Sequence, residues 1–186
     1  MREKLQHAVL ELIAEKGLKF TISDIAAKLA ISKRTFYEHF HSKQHIIETI
    51  VDEAIEEVKQ RERSIFQRKD WSCEQKLKAI LLIVPSGLQV GDAVLLDQMK
   101  RFAPNEWVKI EKLLQDEWET VREIIEIGIH NEEFRPVDVP SVLQVLKGSS
   151  MAIFDPEFLA YSKKSLAEVV QSMVDFVMHG IINRKG

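Results

Sequence analysis

Apolar residues recur at every third or fourth position along most of the chain, which is the spacing of helices that bury one face. No segment alternates apolar and polar residues as a half-buried strand would, so the pattern predicts an all-α fold. The predicted helices span residues 2–16, seven or eight residues after Thr21, residues 33–39, a long stretch from Ser42 toward Lys69, and residues 74–84, 87–100, 105–131, 140–154 and 164–182.

The N-terminal predicted helices carry clear end signals. Gly17 follows the first helix at a position that favours a left-handed conformation. Thr21, Ser32 and Ser42 are residue types whose side chains cap the helix that follows them. Only residues 30–31 separate the second helix from the third, so we expect these two short helices to pack as a pair.

The third predicted helix has one apolar and one polar side. Phe36 and Phe40 share a face and can pack on Ile25 and Leu29 of the second helix. A short exposed helix supported by two others is what a helix-turn-helix inserts into the major groove of DNA. The side chains predicted to face outward are Lys33, Arg34, Thr35, Tyr37 and His39.

Charge is distributed unevenly along the 186 residues. The chain has 26 Lys and Arg against 29 Asp and Glu, a net charge of −3. The N-terminal module nevertheless contains more basic than acidic residues, whereas acidic residues are in excess in the remainder. This asymmetry favours an N-terminal module that faces a polyanion.

Cysteine count and hydropathy favour a cytoplasmic protein. Cys73 is the only cysteine, which excludes an internal disulfide and a cysteine-cluster metal site. The N-terminus carries charges among its apolar residues, and the longest apolar run ends at Pro85 after six residues. We therefore expect no signal peptide, no membrane helix and no membrane partner.

Catalytic, cofactor and metal motifs are absent from the sequence. There is no HExxH, GxSxG, phosphate loop, cysteine pair or glycine-rich dinucleotide turn, so we expect no enzyme activity and no cofactor. The histidines at 39, 41 and 45 raise the alternative of a metal site. His41 and His45 straddle the Ser42 cap, so we expect them not to share a helical face, which argues against that alternative.

The stretch FTISDIAAKLAISKRTFYEHFHSK, residues 20–43, resembles the helix-turn-helix signature of the TetR family of bacterial transcriptional regulators. The strong likeness covers about residues 5–50. Ala30 and Arg34 stand where the family commonly has glycine. The resemblance implies a three-helix DNA-binding domain, residues 1–48, joined by a long helix to a helical effector-binding and dimerisation domain, residues 49–186.

The resemblance also implies roles for individual residues. Thr21, Tyr37 and Lys43 would contact DNA phosphates, and Ser32 caps the recognition helix. Base edges would be read by Lys33, Arg34, Thr35 and His39, of which Arg34 is favoured because bidentate arginine to guanine is the commonest specific contact.

Larger apolar side chains in the second half are candidates for an effector pocket. The alternative is that they fill the core. Glu117, Glu123 and Glu126 would favour a cationic ligand, against the alternative of a solvated face. Residues 84–92, VPSGLQVGD, are a candidate ligand entrance or hinge. The pocket candidates are Leu95, Met99, Phe102, Trp107, Leu114, Trp118, Val121 and Ile125.

The last two long helices have more apolar surface than one core contact requires, which favours a homodimer through those helices, as in TetR relatives. Val142, Val145, Leu146 and Gly148 belong to that predicted interface. A dimer would read a palindromic operator on double-stranded DNA. We expect a repressor released by a small, largely apolar effector; the alternative is a dimer that organises DNA or binds a protein without a ligand.

Overall fold

The computed structural model describes residues 1–85, 93–116 and 118–183 of the chain, and these residues form no β-strand. An isolated antiparallel bridge pairs Phe134 with Ile182. The all-α prediction is confirmed. The helices are α1 (Arg2–Lys16), α2 (Ile22–Leu29), α3 (Lys33–Tyr37), α4 (Lys43–Phe66), α5 (Cys73–Leu81), α6 (Ala93–Phe102), α7 (Pro104–Asp116), α8 (Glu119–His130), α9 (Val139–Ile153), α10 (Pro156–Ser162) and α11 (Leu166–Ile181).

The first three helices and the start of α4 enclose one part of the core. A short 3-10 turn, Gly17–Lys19, joins α1 to the α2 cap. The predicted burial of Phe36 and Phe40 is confirmed, since neither ring is exposed to solvent. Fully buried side chains of this part include Leu5, Phe20, Ile25, Phe36, Phe40 and Ile46.

The long helix α4 connects this N-terminal bundle to the second half. It packs against α5, α7 and α8, while α6 contacts both the 3-10 turn and α10. The second half therefore touches the N-terminal bundle directly as well as through α4. None of the described helices is both long and apolar enough to cross a membrane.

Several helices end earlier than their hydrophobic pattern predicts. The third helix stops at Tyr37, two residues short, and just beyond it the His39 amide donates to the Phe36 carbonyl three residues back, as in a 3-10 turn. The fourth helix ends at Phe66, before the predicted Lys69, and α5 ends at Leu81.

The prediction of one helix over residues 105–131 is wrong. The structure has α7 and α8 there, and the Trp118 indole N–H donates to the Leu114 carbonyl across the break, at 2.8 Å. Helix α10 was not predicted, although Asp155 caps it and Pro156 occupies its first turn. The proposed entrance at 84–92 and the start of the 87–100 helix lie outside the described residues, except for residues 84 and 85.

Candidate nucleic-acid interface

The start of α2 is fixed by a reciprocal capping box. The Asp24 amide donates to the Thr21 hydroxyl oxygen at 3.2 Å, and the Thr21 amide and hydroxyl donate to the Asp24 carboxylate at 2.7 and 2.8 Å. Lys16 also donates to this carboxylate, and together these hydrogen bonds lower the Asp24 pKa from 3.8 to about 2. The exposed Thr21 side chain is thus oriented by the cap before any DNA is present.

The turn between α2 and α3 is built on Ala30, which has φ 52° and ψ 42°. Its amide and that of Ile31 donate to carbonyls of the last turn of α2, at 3.2 and 2.9 Å. This left-handed conformation is unfavourable for a residue with a Cβ and explains why glycine is common in such a turn. The turn sets the angle at which α3 leaves α2.

Three of the four candidate base-reading side chains, Lys33, Arg34 and Thr35, lie on the short, capped helix α3. Ser32 accepts a hydrogen bond from the Thr35 amide at 3.1 Å, so it has the predicted capping role. Lys33 and Arg34 point into solvent, and the Arg34 side chain is 91% exposed. Its Nε lies 3.6 Å from the Glu38 carboxylate, which keeps the guanidinium close to the helix until a stronger acceptor competes.

Tyr37 and His39 flank the candidate reading surface. The Tyr37 ring is 51% exposed and packs edge to face on the buried Phe36 ring, with centroids 5.5 Å apart. This contact holds the base of the tyrosine while its phenol reaches outward. His39 is half-buried and lies two residues beyond the end of α3.

Lys43 occupies a different place from the other candidates. Its ammonium donates to the Leu18 carbonyl and lies 4.4 Å from the centroid of the Phe20 ring. Burial lowers the pKa of this ammonium. In this conformation the charge is directed into the bundle rather than toward a phosphate.

His41 precedes α4 and His45 lies in its first turn, so the two do not share a helical face, yet their side chains are in contact. Their rings stack with centroids 5.0 Å apart, and the His41 amide donates to Nδ1 of His45 at 3.2 Å. The imidazole of His45 thereby supplements Ser42, whose hydroxyl accepts from the His45 amide, in capping α4. Within the described part of the chain, no three metal-ligating side chains come together.

An apolar cavity of about 180 Å³ lies between α4 and the helices of the second half. Its wall extends to the N-terminal bundle, because Leu10, Ile13 and Leu18 contribute to it. Of the eight predicted pocket residues, the structure brings five to this wall: Leu95, Met99, Leu114, Trp118 and Val121.

The other three predicted pocket residues do not contribute to that wall. Phe102 is 55% exposed at the end of α6, and Ile125 is fully buried in the core. The Trp107 indole is turned toward Glu111, to which it donates at 2.6 Å. Helical spacing alone does not separate a cavity-facing side from a core-facing or exposed one, which explains the mixed outcome.

Sequence reasoning missed the junction between this cavity and the N-terminal bundle. The Leu18 side chain lines the cavity, its amide donates to Oε1 of Gln98 in α6, and its carbonyl accepts from Lys43. Gly17 adopts φ 62° and ψ −155°, and a Cβ there would collide with the Gln98 amide group. A glycine at position 17 is compatible with a close contact to another part of the chain, but the sequence does not show that Gln98 makes that contact.

Residues 6–50 match the family model described as bacterial regulatory proteins, tetR family. These residues contain the capped α2, the Ala30 turn and α3. The N-terminal region of the chain therefore belongs to the tetR family of regulatory DNA-binding domains. A chain with this region is a DNA-binding transcriptional regulator.

The regulator is similar over nearly its whole length to a curated protein. It is 29% identical to the uncharacterized HTH-type transcriptional regulator YvaF of Bacillus subtilis (strain 168), over 97% of this chain and 95% of that protein. The likeness thus extends well beyond the helix-turn-helix.

Solved structures share the fold of the regulator. The ketosteroid transcriptional regulator KstR2 of Mycobacterium tuberculosis superposes with a TM-score of 0.65 at 20% identity, over 98% of this chain and 95% of that one. The transcriptional regulator FadR from Bacillus subtilis, in complex with stearoyl-CoA, gives 0.61 at 18% identity, over 97% and 99%. Identities this low show a shared fold, without showing a shared ligand.

Proposed function

We propose that this TetR-family regulator is a homodimeric repressor that binds a palindromic operator and is released by a small, largely apolar effector. The observation that carries the proposal is Leu18, which belongs to the cavity wall and whose carbonyl also accepts a hydrogen bond from Lys43, the first residue of α4. A molecule in the cavity would touch the same residue that positions the module.

The DNA-binding unit in this proposal is residues 1–48, and residues 49–186 hold the effector and the partner subunit. Tyr37 and Thr21 contact phosphates from the edges of α3, while Ser32 holds its cap. Base edges are read by Lys33, Arg34, Thr35 and His39. Lys43 reaches a phosphate only after its ammonium leaves the Leu18 carbonyl and the Phe20 ring.

Exposed apolar side chains on the last helices support dimerisation. Val145 of α9 is 60% exposed and Phe176 of α11 is 80% exposed, so both helices offer apolar side chains that a second subunit would cover. Gly148 and Gly180 have open space where a Cβ would stand, so a second helix can approach closely. Leu146, predicted to join this interface, is instead fully buried within the chain.

In this proposal the effector shifts the equilibrium between a DNA-binding and a DNA-releasing conformation of the dimer. It must bind the DNA-releasing conformation more tightly than the DNA-binding one, because equal affinity for both would change nothing. Filling the cavity displaces Leu18, which alters the hydrogen bonds to Gln98 and Lys43 at its two peptide groups. The α1 to α2 connection then moves relative to α4, and the two recognition helices of the dimer change their separation.

The competing candidate is a TetR-like dimer that organises DNA or binds a protein without an effector. Selection of binding sites from a random double-stranded DNA pool at near-physiological salt separates the two. Enrichment of an inverted repeat supports the repressor, whereas tight binding with little sequence preference and a steep salt dependence supports the organiser. The selected site then becomes the probe for release by small molecules.

A further inference from the structure

The start of α7 carries an acid that the fold hides from solvent. Glu106 is only 2% exposed, and it is the one charged side chain buried among the described residues. Nε2 of Gln44, in the first turn of α4, donates to its Oε2 at 2.7 Å. The acids considered from the sequence differ, since Glu123 and Glu126 are exposed and Glu117 lies outside the described residues. Because a buried acid needs hydrogen bonds in place of the water it has lost, Gln44 stabilises the buried position of Glu106.

One turn further along α7, a lysine lies between two acids of α4. The Lys109 ammonium donates to Oδ1 of Asp52 at 2.6 Å and to Oε1 of Glu48 at 3.2 Å. Asp52 is the chief cause of a raised pKa of this ammonium, so the positive charge is present at neutral pH. Exposed ion pairs taken singly contribute little to stability. Here one cation joins two carboxylates a turn apart, next to the buried contact of Glu106.

The three partners on α4 form one stripe. Gln44, Glu48 and Asp52 follow one another at intervals of four residues, so they lie on one side of the helix over its first turns. Glu106 and Lys109 are three residues apart and likewise share a side of α7. These five residues form the α4–α7 clamp, which joins the second half of the chain to the helix that begins in the DNA-binding module.

Helix α7 also reaches the cavity. Ile110 and Leu114 belong to the cavity wall, and Ile110 directly follows Lys109 in the chain. A displacement of α7 would therefore act on the start of α4 through the clamp. This route is separate from the contact between Gln98 and Leu18, which involves α6 and the 3-10 turn.

We infer that the α4–α7 clamp fixes the DNA-binding module on the second half of the chain, so that the two parts open as one cooperative unit and a movement of α7 reaches the start of α4. Its regulatory use rests on the proposed effector role of the cavity. Without the Gln44 donor, Glu106 would be buried with an unmet hydrogen bond while the two parts are docked, and it would regain water when they separate. Loss of the clamp therefore favours separation.

Amide hydrogen exchange of the full chain, followed by mass spectrometry, tests the clamp in the absence of DNA and effector. The test variant combines Gln44→Ala with Lys109→Met, which removes both contacts but keeps good helix formers. We expect amides in α1–α3 to exchange at least about tenfold faster than in the wild type, because local opening free energies set exchange rates. Amides in α8 and α11 should exchange at unchanged rates. Lys109→Met alone should give the same pattern with a smaller acceleration.

Gln60→Ala with Lys112→Met is the matched control, since it makes the same two substitutions at exposed positions of α4 and α7. Exchange in α1–α3 should not change in that variant. Unchanged exchange of α1–α3 in the test variant, or equal acceleration in both halves, would overturn the inference. Release of the selected operator by small molecules is measured separately: faster exchange of α1–α3 without any release contradicts the effector role only, and release with unchanged exchange contradicts the clamp only.

Discussion

The ammonium of Lys43 donates a hydrogen bond to the carbonyl of Leu18, which joins the first turn of α4 to the wall of the cavity. The same ammonium lies over the Phe20 ring. A residue that family resemblance places on DNA phosphate thus also holds the fold of the module together, and these two roles compete for one charge.

Replacing Lys43 by methionine tests this contact. The variant keeps the apolar stem but loses the donor, so we expect a loss of about 1–3 kcal/mol in the free energy of unfolding, as for hydrogen bonds that involve a charged group. Urea denaturation gives the value. Lys19→Met, at a nearby exposed position, should change stability by less than about 0.5 kcal/mol. Equal losses in both variants would show that the Leu18 contact contributes nothing.

Ala30→Gly should stabilise the DNA-binding module. The left-handed conformation costs a residue with a Cβ about 1–2 kcal/mol, which glycine avoids apart from its larger backbone entropy when unfolded. We expect a net gain of about 0.5–1 kcal/mol in thermal or urea unfolding. Ala27→Gly, three residues earlier in helical conformation, is the control and should lose about 1 kcal/mol. A loss in both variants would contradict the conformational argument.

Acid sensitivity should be lower in Asp24→Asn. The folded-state pKa of Asp24 is depressed from 3.8 to about 2, chiefly by the Lys16 hydrogen bond and then by Thr21. Its stabilising effect is therefore full above pH 3.8 and is lost as the pH falls toward 2. The variant should be less stable than the wild type at neutral pH, and the difference should shrink across that range. Urea unfolding at stepped pH measures it; a constant difference would contradict the assignment.

Local signals explain how much of the N-terminal fold the sequence predicts. Thr21, Ser32 and Ser42 cap their helices through side chains only three residues from the amides they bind, so the pattern is visible in a short window. The confirmed burial of Phe36 and Phe40 follows from helical spacing alone. From these features the sequence predicts where α1 to α4 lie, with errors only at the helix ends.

Long-range contacts explain what the sequence does not predict. The Gln98 side chain accepts a hydrogen bond from the Leu18 amide, 80 residues away in the chain, and no local sequence pattern predicts that contact. The break lies beside Trp118, whose side chain contributes to the cavity wall, and tertiary contacts of this kind override local helical preference. The sequence likewise does not show that Glu62 of α4 faces the cavity, because this depends on how α4 packs against the second half of the chain.

Phe176→Glu should prevent dimerisation. The ring is exposed on α11, so a charge there leaves the fold of a single chain intact but cannot be buried against a second copy without a large desolvation cost. Analytical ultracentrifugation should show a monomer for this variant. Tyr161→Glu, an equally exposed aromatic on α10, should remain dimeric. Dimers of unchanged strength in Phe176→Glu would place the interface elsewhere.

Arg34→Ala should reduce sequence discrimination more than overall DNA affinity. The guanidinium is exposed on α3 and held loosely by Glu38, so it is free to exchange that carboxylate for a guanine edge. We expect a cost of about 1–3 kcal/mol on the selected operator and a relaxed preference at one base pair per half-site. Fluorescence anisotropy on operator and scrambled DNA at fixed salt separates the effects. Lys4→Ala, exposed on α1, controls for net charge; equal weakening on both DNAs would assign Arg34 to phosphate.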